Sequence, residues 1–189
     1  SSGFLPRRLE VQVFPDPLET IMDYDLTDEA IASRTYSNLN KHTTEPYWRG
    51  SVFEDFAMIR SPRSRGAAGE KLVGDIFESH GHTVKRSRTS QYDRLIAGHK
   101  IEIKVSTTWD STPDKFRWSQ IRNQPYDRIV FCGINANELK LAWAEKSELE
   151  KYVFNDAHRQ HAGKRGGLDI YWIAGSIEDF HWMKPIGEF

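Results

Sequence analysis

Hydrophobic side chains recur at helical spacing between residues 66 and 80, where Gly69, Leu72, Val73, Ile76, Phe77 and His80 form one continuous stripe. Gly81 stands where a left-handed terminator belongs, so the pattern predicts a helix ending there. Glu70 lies one and two turns before Val73 and Phe77, at the edge of the stripe and not on its solvent side. The spacing then switches to period two. "HTVKRS", "YDRLI" and "KIEIKVST" read as strands, with the break at "AGHK" supplying a turn. "STPDKFRWSQIRNQ" predicts a second helix, capped by Ser111 or Thr112, with Pro113 at its first position and Phe116 and Ile121 as apolar anchors. "YDRIVFCGI" and "ELKLAWAE" are strand-like, the first apolar enough for a sheet centre, while "KSELEKYVFN" reads as helix and "LDIYWIAGS" as a final strand. The order αβββαβ, with further β and α after it, predicts an α/β fold whose mixed central sheet is flanked by helices.

The strand "KIEIKVST" holds the chemistry. Alternation sends Ile101, Ile103 and Val105 to one face and Glu102 and Lys104 to the other. A two-residue turn at Ala97-Gly98 would set Asp93 opposite Glu102, and one at Gly98-His99 would set it opposite Lys104. A three-residue turn would place it opposite Ile103 and break the group. Two carboxylates and an ammonium are costly to bury unless something compensates, and a divalent cation bridging the carboxylates would do so. Oxygen donors favour a hard ion, and Mg²⁺ suits a site offering one or two carboxylates, its other positions going to water and phosphate oxygens. The plainer reading of the same residues is a surface ion pair across a hairpin, worth roughly 0.2–1 kcal/mol.

Composition narrows the class. Of 189 residues, 38% are hydrophobic, 28% charged and 12% aromatic, which fits a folded globular chain and neither disorder nor a fibrous repeat. The single Cys132 permits no intrachain disulfide and no cysteine-based zinc site, which points to a reducing, cytoplasmic setting. No apolar run approaches a membrane span and no signal-peptide core is present, so no membrane association is expected. The net charge of −1 is uninformative, but its distribution is not. Residues 1–59 carry 5 Lys/Arg against 10 Asp/Glu, residues 60–104 carry 10 against 5, and residues 105–189 carry 11 against 12. The chain therefore reads as an acidic N-terminal extension, 1–60, packing on a core domain, 61–189. Within the extension "LTDEAIASRTYSNLNKH" carries one helix signal, with Thr27 as cap and Asp28 and Glu29 suiting the dipole.

"RSPRSRG", residues 60–66, reads as an exposed basic loop. "HRQHAGKRGG" places His158 and His161 at i, i+3, but further zinc ligands are missing, and a flexible basic loop offering Lys164 or Arg165 to phosphate fits better. Trp118, Trp143 and Trp172 lie in periodic segments and are assigned to the core. Trp48 and Trp109 are left as residues that could stack on bases. No nucleophile elbow, P-loop or dinucleotide fingerprint occurs.

Taken together, residues 63–146 resemble the PD-(D/E)XK nuclease superfamily, with the restriction-endonuclease-like fold. "RGAAGEKLVGDIFESHG" looks like the family's first core helix, Asp93 in "YDRLI" matches its aspartate, and "IEIKVST" matches its acid-x-lysine as Glu102 and Lys104. "FRWSQIRNQPYDRIVFCGI" looks like the next helix and strand. Tyr92 stands where the family's motif carries proline. The resemblance implies a Mg²⁺-dependent endodeoxyribonuclease, with Mn²⁺ able to substitute, acting on double-stranded DNA. Asp93 and Glu102 would hold the metal with help from Glu70, Lys104 would activate or orient the nucleophile, and Gln120 would support the site. Arg60, Arg63 and Arg65, with Lys85, Arg86 and Arg88, would track the phosphate backbone. A sequence-specific restriction-type enzyme is the first expectation, because no motor module accompanies the site. A junction resolvase or repair nickase is the enzymatic alternative, and a DNA-binding protein keeping the scaffold is the non-enzymatic one. Cutting both strands implies a homodimer or two sequential nicks.

Overall fold

In a computed structural model the chain is described at residues 28, 31, 46–108, 114–160 and 170–189. Among these residues it is a mixed α/β structure built on a mostly antiparallel six-stranded sheet. The helices whose bounds fall within the described residues are α1 (Glu54–Ala57) and α2 (Pro62–Ser79), before the strands, and α3 (Lys146–Tyr152), among them. The strands are β1 (Val84–Arg86), β2 (Arg94–Ile96), β3 (His99–Thr107), β4 (Phe116–Arg122), β5 (Arg128–Ile134), β6 (Leu139–Glu145), β7 (Ile170–Gly175) and β8 (Lys184–Pro185). The large sheet runs β1-β2-β3-β5-β6-β8, and β3 and β5 are its parallel pair; β4 and β7 form a separate antiparallel ribbon. No helix among the described residues is long and apolar enough to cross a membrane.

Helix α2 begins four residues earlier than the apolar stripe suggests. Ser61 accepts a hydrogen bond from the Ser64 N–H and Pro62 occupies the first turn, so most of the expected basic loop is helix. The helix ends as expected at Gly81, whose φ is 83°: Gly81 N–H donates to Glu78 O and His82 N–H to Phe77 O, the paired bonds of a Schellman motif. Its stripe of Leu72, Val73, Ile76 and Phe77 packs on Ile101, Ile103, Val130, Cys132 and Ile134 of the sheet, together with Ile31, Trp48, Phe53 and Phe56. Trp48 is thus a core residue, not a base-stacking one. Each such aliphatic or aromatic side chain contributes about 1.5–3 kcal/mol on burial. Gly69 marks the closest approach, since a methyl there would overlap the Val105 side chain.

The expected second helix is a strand. Phe116 and Trp118 point inward, the register slips by one residue between Trp118 and Ile121, and Ile121 points inward again. A bulge inserted into period-two alternation gives inward positions at 116, 118 and 121, which imitates helical spacing. The αβββαβ order therefore fails at its fifth element: β4 crosses from β3 and pairs with β7 over the opposite face of the sheet from α2. Phe116, Trp118, Ile121, Tyr171 and Ile173 of the ribbon join Ile129, Phe131, Ala144 and Leu149 in a second core. Gly133 of β5 makes room for the Phe116 ring. Strand β5 is covered on both sides, which is why it reads as an unbroken apolar run.

Most of the acidic extension, including Thr27 and Glu29, lies outside the described residues, as do Trp109, Ser111, Thr112, Pro113, His161, Lys164 and Arg165.

Candidate functional site

The site begins with a turn. Ala97 and Gly98 have φ of 49° and 88°, a two-residue turn of the primed type, and the ladder pairs Ile96 with His99, Leu95 with Lys100 and Arg94 with Ile101. Continued by one step, this register brings Asp93 beside Glu102. Regular pairing stops there: Asp93 N–H still donates to Ile101 O at 2.8 Å, and the Asp93 side chain takes over the next bond, its Oδ2 accepting from Ile103 N–H at 2.7 Å. Asp93 is consequently pinned to β3 by both backbone and side chain.

Glu102 is buried, and its Oε1 lies 2.7 Å from Lys104 Nζ. Both are on the face of β3 turned toward the ribbon, because Ile101 and Ile103 face α2. Glu70 on α2 pairs with Arg94, whose Nη1 donates to Glu70 Oε2 at 3.1 Å and also to Asp93 O at 2.9 Å. One guanidinium nitrogen thus ties the helix carboxylate to the backbone of the site aspartate.

Charge in the cluster is under-compensated. Burial pushes the Glu102 carboxyl above its ordinary value of 4.5 against the pull of Lys104, with the negative charges of Asp93 and Glu70 adding to the rise. Burial likewise raises Asp93, against its bond from Ile103 and the charges of Lys104 and Arg94. Glu70 is raised by burial and by Asp93, with Arg94 and Lys104 opposing. Three carboxylates share two cations here, and losing water costs them more than those cations return. Tyr126 is a second neighbour. Its ring is buried in the ribbon-side core, its hydroxyl has no hydrogen-bond partner among the described residues, and burial followed by the charges of Glu102 and Glu150 holds its proton on.

Among the described residues no three His, Cys, Asp or Glu side chains converge on one point as a ready metal cage. The donor set nevertheless suits a hard cation: it is all oxygen, it carries surplus negative charge, and its members are held by cations they could release. Asp93 and Glu102 are the pair that would hold such an ion, with Glu70 reaching it on release from Arg94.

Gln120 stands apart from this group. It sits on the β4 bulge with φ of 58°, is exposed, and is held through its backbone N–H, which donates to Gln160 Oε1 at 3.1 Å. Among the described residues no hydrogen bond joins it to Glu70, Asp93, Glu102 or Lys104. Of the basic residues, Arg60, Arg63, Lys85, Arg86 and Arg88 are exposed, whereas Arg65 is half-buried and donates to Ile59 O through Nη2 at 2.7 Å and Nε at 3.1 Å. A groove of about 350 Å³ between α2 and β1 is lined by Lys71, Asp75, Glu78, Arg86 and Arg94.

Arg94 and Tyr126 are the residues that the sequence pattern did not single out. Arg94 had a signal: alternation from the buried Ile96 places it on the helix-facing side, where a guanidinium needs an anion, and Glu70 was already identified at the stripe edge. Compared with the sequence models of known protein families and with curated proteins, the chain matches none.

Proposed function

We propose that this protein is a metal-dependent endodeoxyribonuclease of the restriction-endonuclease-like kind, with β4 in place of one core helix. The observation that carries this reading is the meeting of Asp93 and Glu102 across a two-residue hairpin, with Lys104 Nζ 2.7 Å from Glu102 and Glu70 tethered close by through Arg94. A surface ion pair needs neither the burial of Glu102 nor a third carboxylate.

Asp93 and Glu102 would hold Mg²⁺, or Mn²⁺ in its place, and Glu70 would assist directly or through water. When bound, such an ion supplies a more acidic water and neutralises charge developing on phosphate. The chain's own contribution is positional. Asp93 is fixed by the Ile103 N–H, so its free oxygen keeps one direction. Lys104, once its hold on Glu102 loosens, donates a hydrogen bond to the attacking water or to a phosphate oxygen. The ribbon-side core and Tyr126 restrict water behind Glu102. Exposed Arg60, Arg63, Lys85, Arg86 and Arg88 would follow the DNA backbone. The reading is of a sequence-specific restriction-type enzyme, acting on duplex DNA as a homodimer or by two nicks.

Incubating the protein with plasmid DNA in Mg²⁺ and in EDTA tests the reading. Cleavage in Mg²⁺ alone, lost in Lys104→Ala and Glu102→Ala, is the expected result. Cleavage that survives both substitutions moves the chemistry elsewhere, and binding without cleavage leaves only the scaffold.

A further inference from the structure

The β4–β7 ribbon has two faces, and the nuclease reading uses only the inner one. Inward go Phe116, Trp118, Ile121, Tyr171 and Ile173. Alternation turns Arg117 and Arg122 of β4 and Trp172 of β7 outward. The core assignment of Trp172 made from its periodic segment therefore fails: the ring is half-buried, and the exposed Arg117 guanidinium lies 4.5 Å above its centre. Neither Arg117 nor Arg122 forms an ion pair among the described residues, and Arg122 Nε is buried with no hydrogen-bond partner. Between them the bulge holds Gln120 in a left-handed conformation that non-glycine residues adopt at a cost, pinned by Gln160.

We infer that this outer face is a contact surface for duplex DNA, seated in the major groove beside the cleavage site. The inference rests on the nuclease reading and adds to it the surface that meets the substrate. A two-stranded ribbon fits the width of the major groove, about 12 Å, and unpaired guanidiniums complement its phosphate walls. Arginine and glutamine are also the side chains that bond bidentately to guanine and adenine edges, so Gln120 on the raised bulge is positioned to read sequence. The ribbon is fixed to the catalytic strand: Arg117 N–H donates to Ser106 Oγ at 2.9 Å, and Ser106 is two residues beyond Lys104 on the same face of β3. Contacts made by the ribbon therefore set where the scissile phosphate falls.

Fluorescence anisotropy of the full chain with a labelled duplex, in EDTA so that nothing is cut, tests this. Arg117→Gln combined with Arg122→Gln should weaken binding about ten- to a hundredfold. It should also flatten the slope of log affinity against log salt by about two, while leaving Mn²⁺ binding and the melting temperature unchanged. Arg117→Lys should keep the slope. Gln120→Ala should keep the slope and, in a parallel digest in Mg²⁺, alter which sites are cut. Wild-type affinity and slope in the double variant, with DNA still bound and cut, overturn the inference and leave the nuclease reading intact. So does a loss confined to single-stranded oligonucleotides. A wild-type chain that binds no duplex at all fails both.

Discussion

Strand β3 presents two faces that obey opposite rules. Toward α2, Ile101, Ile103 and Val105 interlock so closely with the helix that Gly69 has no room for a methyl group. Toward the ribbon, Glu102 and Lys104 are half or fully desolvated, and their charges are incompletely balanced. The first face stabilises the fold; the second lowers its stability, a cost that the proposed function would account for. Polar groups stay buried on one strand face only when the other anchors the strand firmly.

Substitutions that break this division should differ in kind. The largest effect belongs to the polar face: Lys104→Ala should lower cleavage about 10²- to 10⁴-fold, as loss of an acid–base or orienting group does, and, by leaving Glu102 buried without its cation, should also lower melting at neutral pH, a loss that shrinks on acidification. Next is the apolar face, where Ile103→Ala should cost about 2–5 kcal/mol in denaturant unfolding with the ion affinity of the surviving folded protein retained. An Ile103→Ala variant that melts normally, or a Lys104→Ala variant that cleaves normally, would erase the distinction.

Two smaller effects sharpen it. Glu70, Asp93 and Glu102 all have carboxyl values raised above the ordinary 4.5, 3.8 and 4.5. The folded chain therefore holds more protons than the unfolded one just above that range, and stability falls as pH rises through the raised values. Without metal, Glu102→Gln should melt higher than wild type at neutral pH, and the gap should close on acidification; a gap that widens would reverse the assigned sign. Smallest is the turn: Ala97→Asn, a residue suited to φ of 49°, should add about 0.5 kcal/mol in the same unfolding measurement and leave cleavage unchanged.

How far the sequence revealed this structure follows from the same contrast. The α2 stripe, its Gly81 stop and the alternation of β3 were legible because each repeats over several turns or pairs, and the Asp93–Glu102–Lys104 face followed once the turn length was known. Strand β4 was misread because one bulge disguised period two as helical spacing. Trp48 and Trp172 exchanged places for a related reason: a short 3₁₀ segment, Pro46–Trp48, gives no period to read, and Trp172 sits on a strand whose outer face is open. Arg94 was hidden because its partner, Glu70, is 24 residues away in sequence and meets it only after α2 folds onto β2.

On the proposed function, the polar face of β3 stays strained by its own carboxylates until a cation joins them. Melting the metal-free protein at neutral pH with and without Mn²⁺, alongside the Asp93→Asn, Glu102→Gln double variant, tests it most directly. The wild-type melting temperature should rise on adding Mn²⁺, whereas the double variant should start higher and not respond. A wild-type chain indifferent to Mn²⁺, or a double variant that still responds in full, would contradict the account.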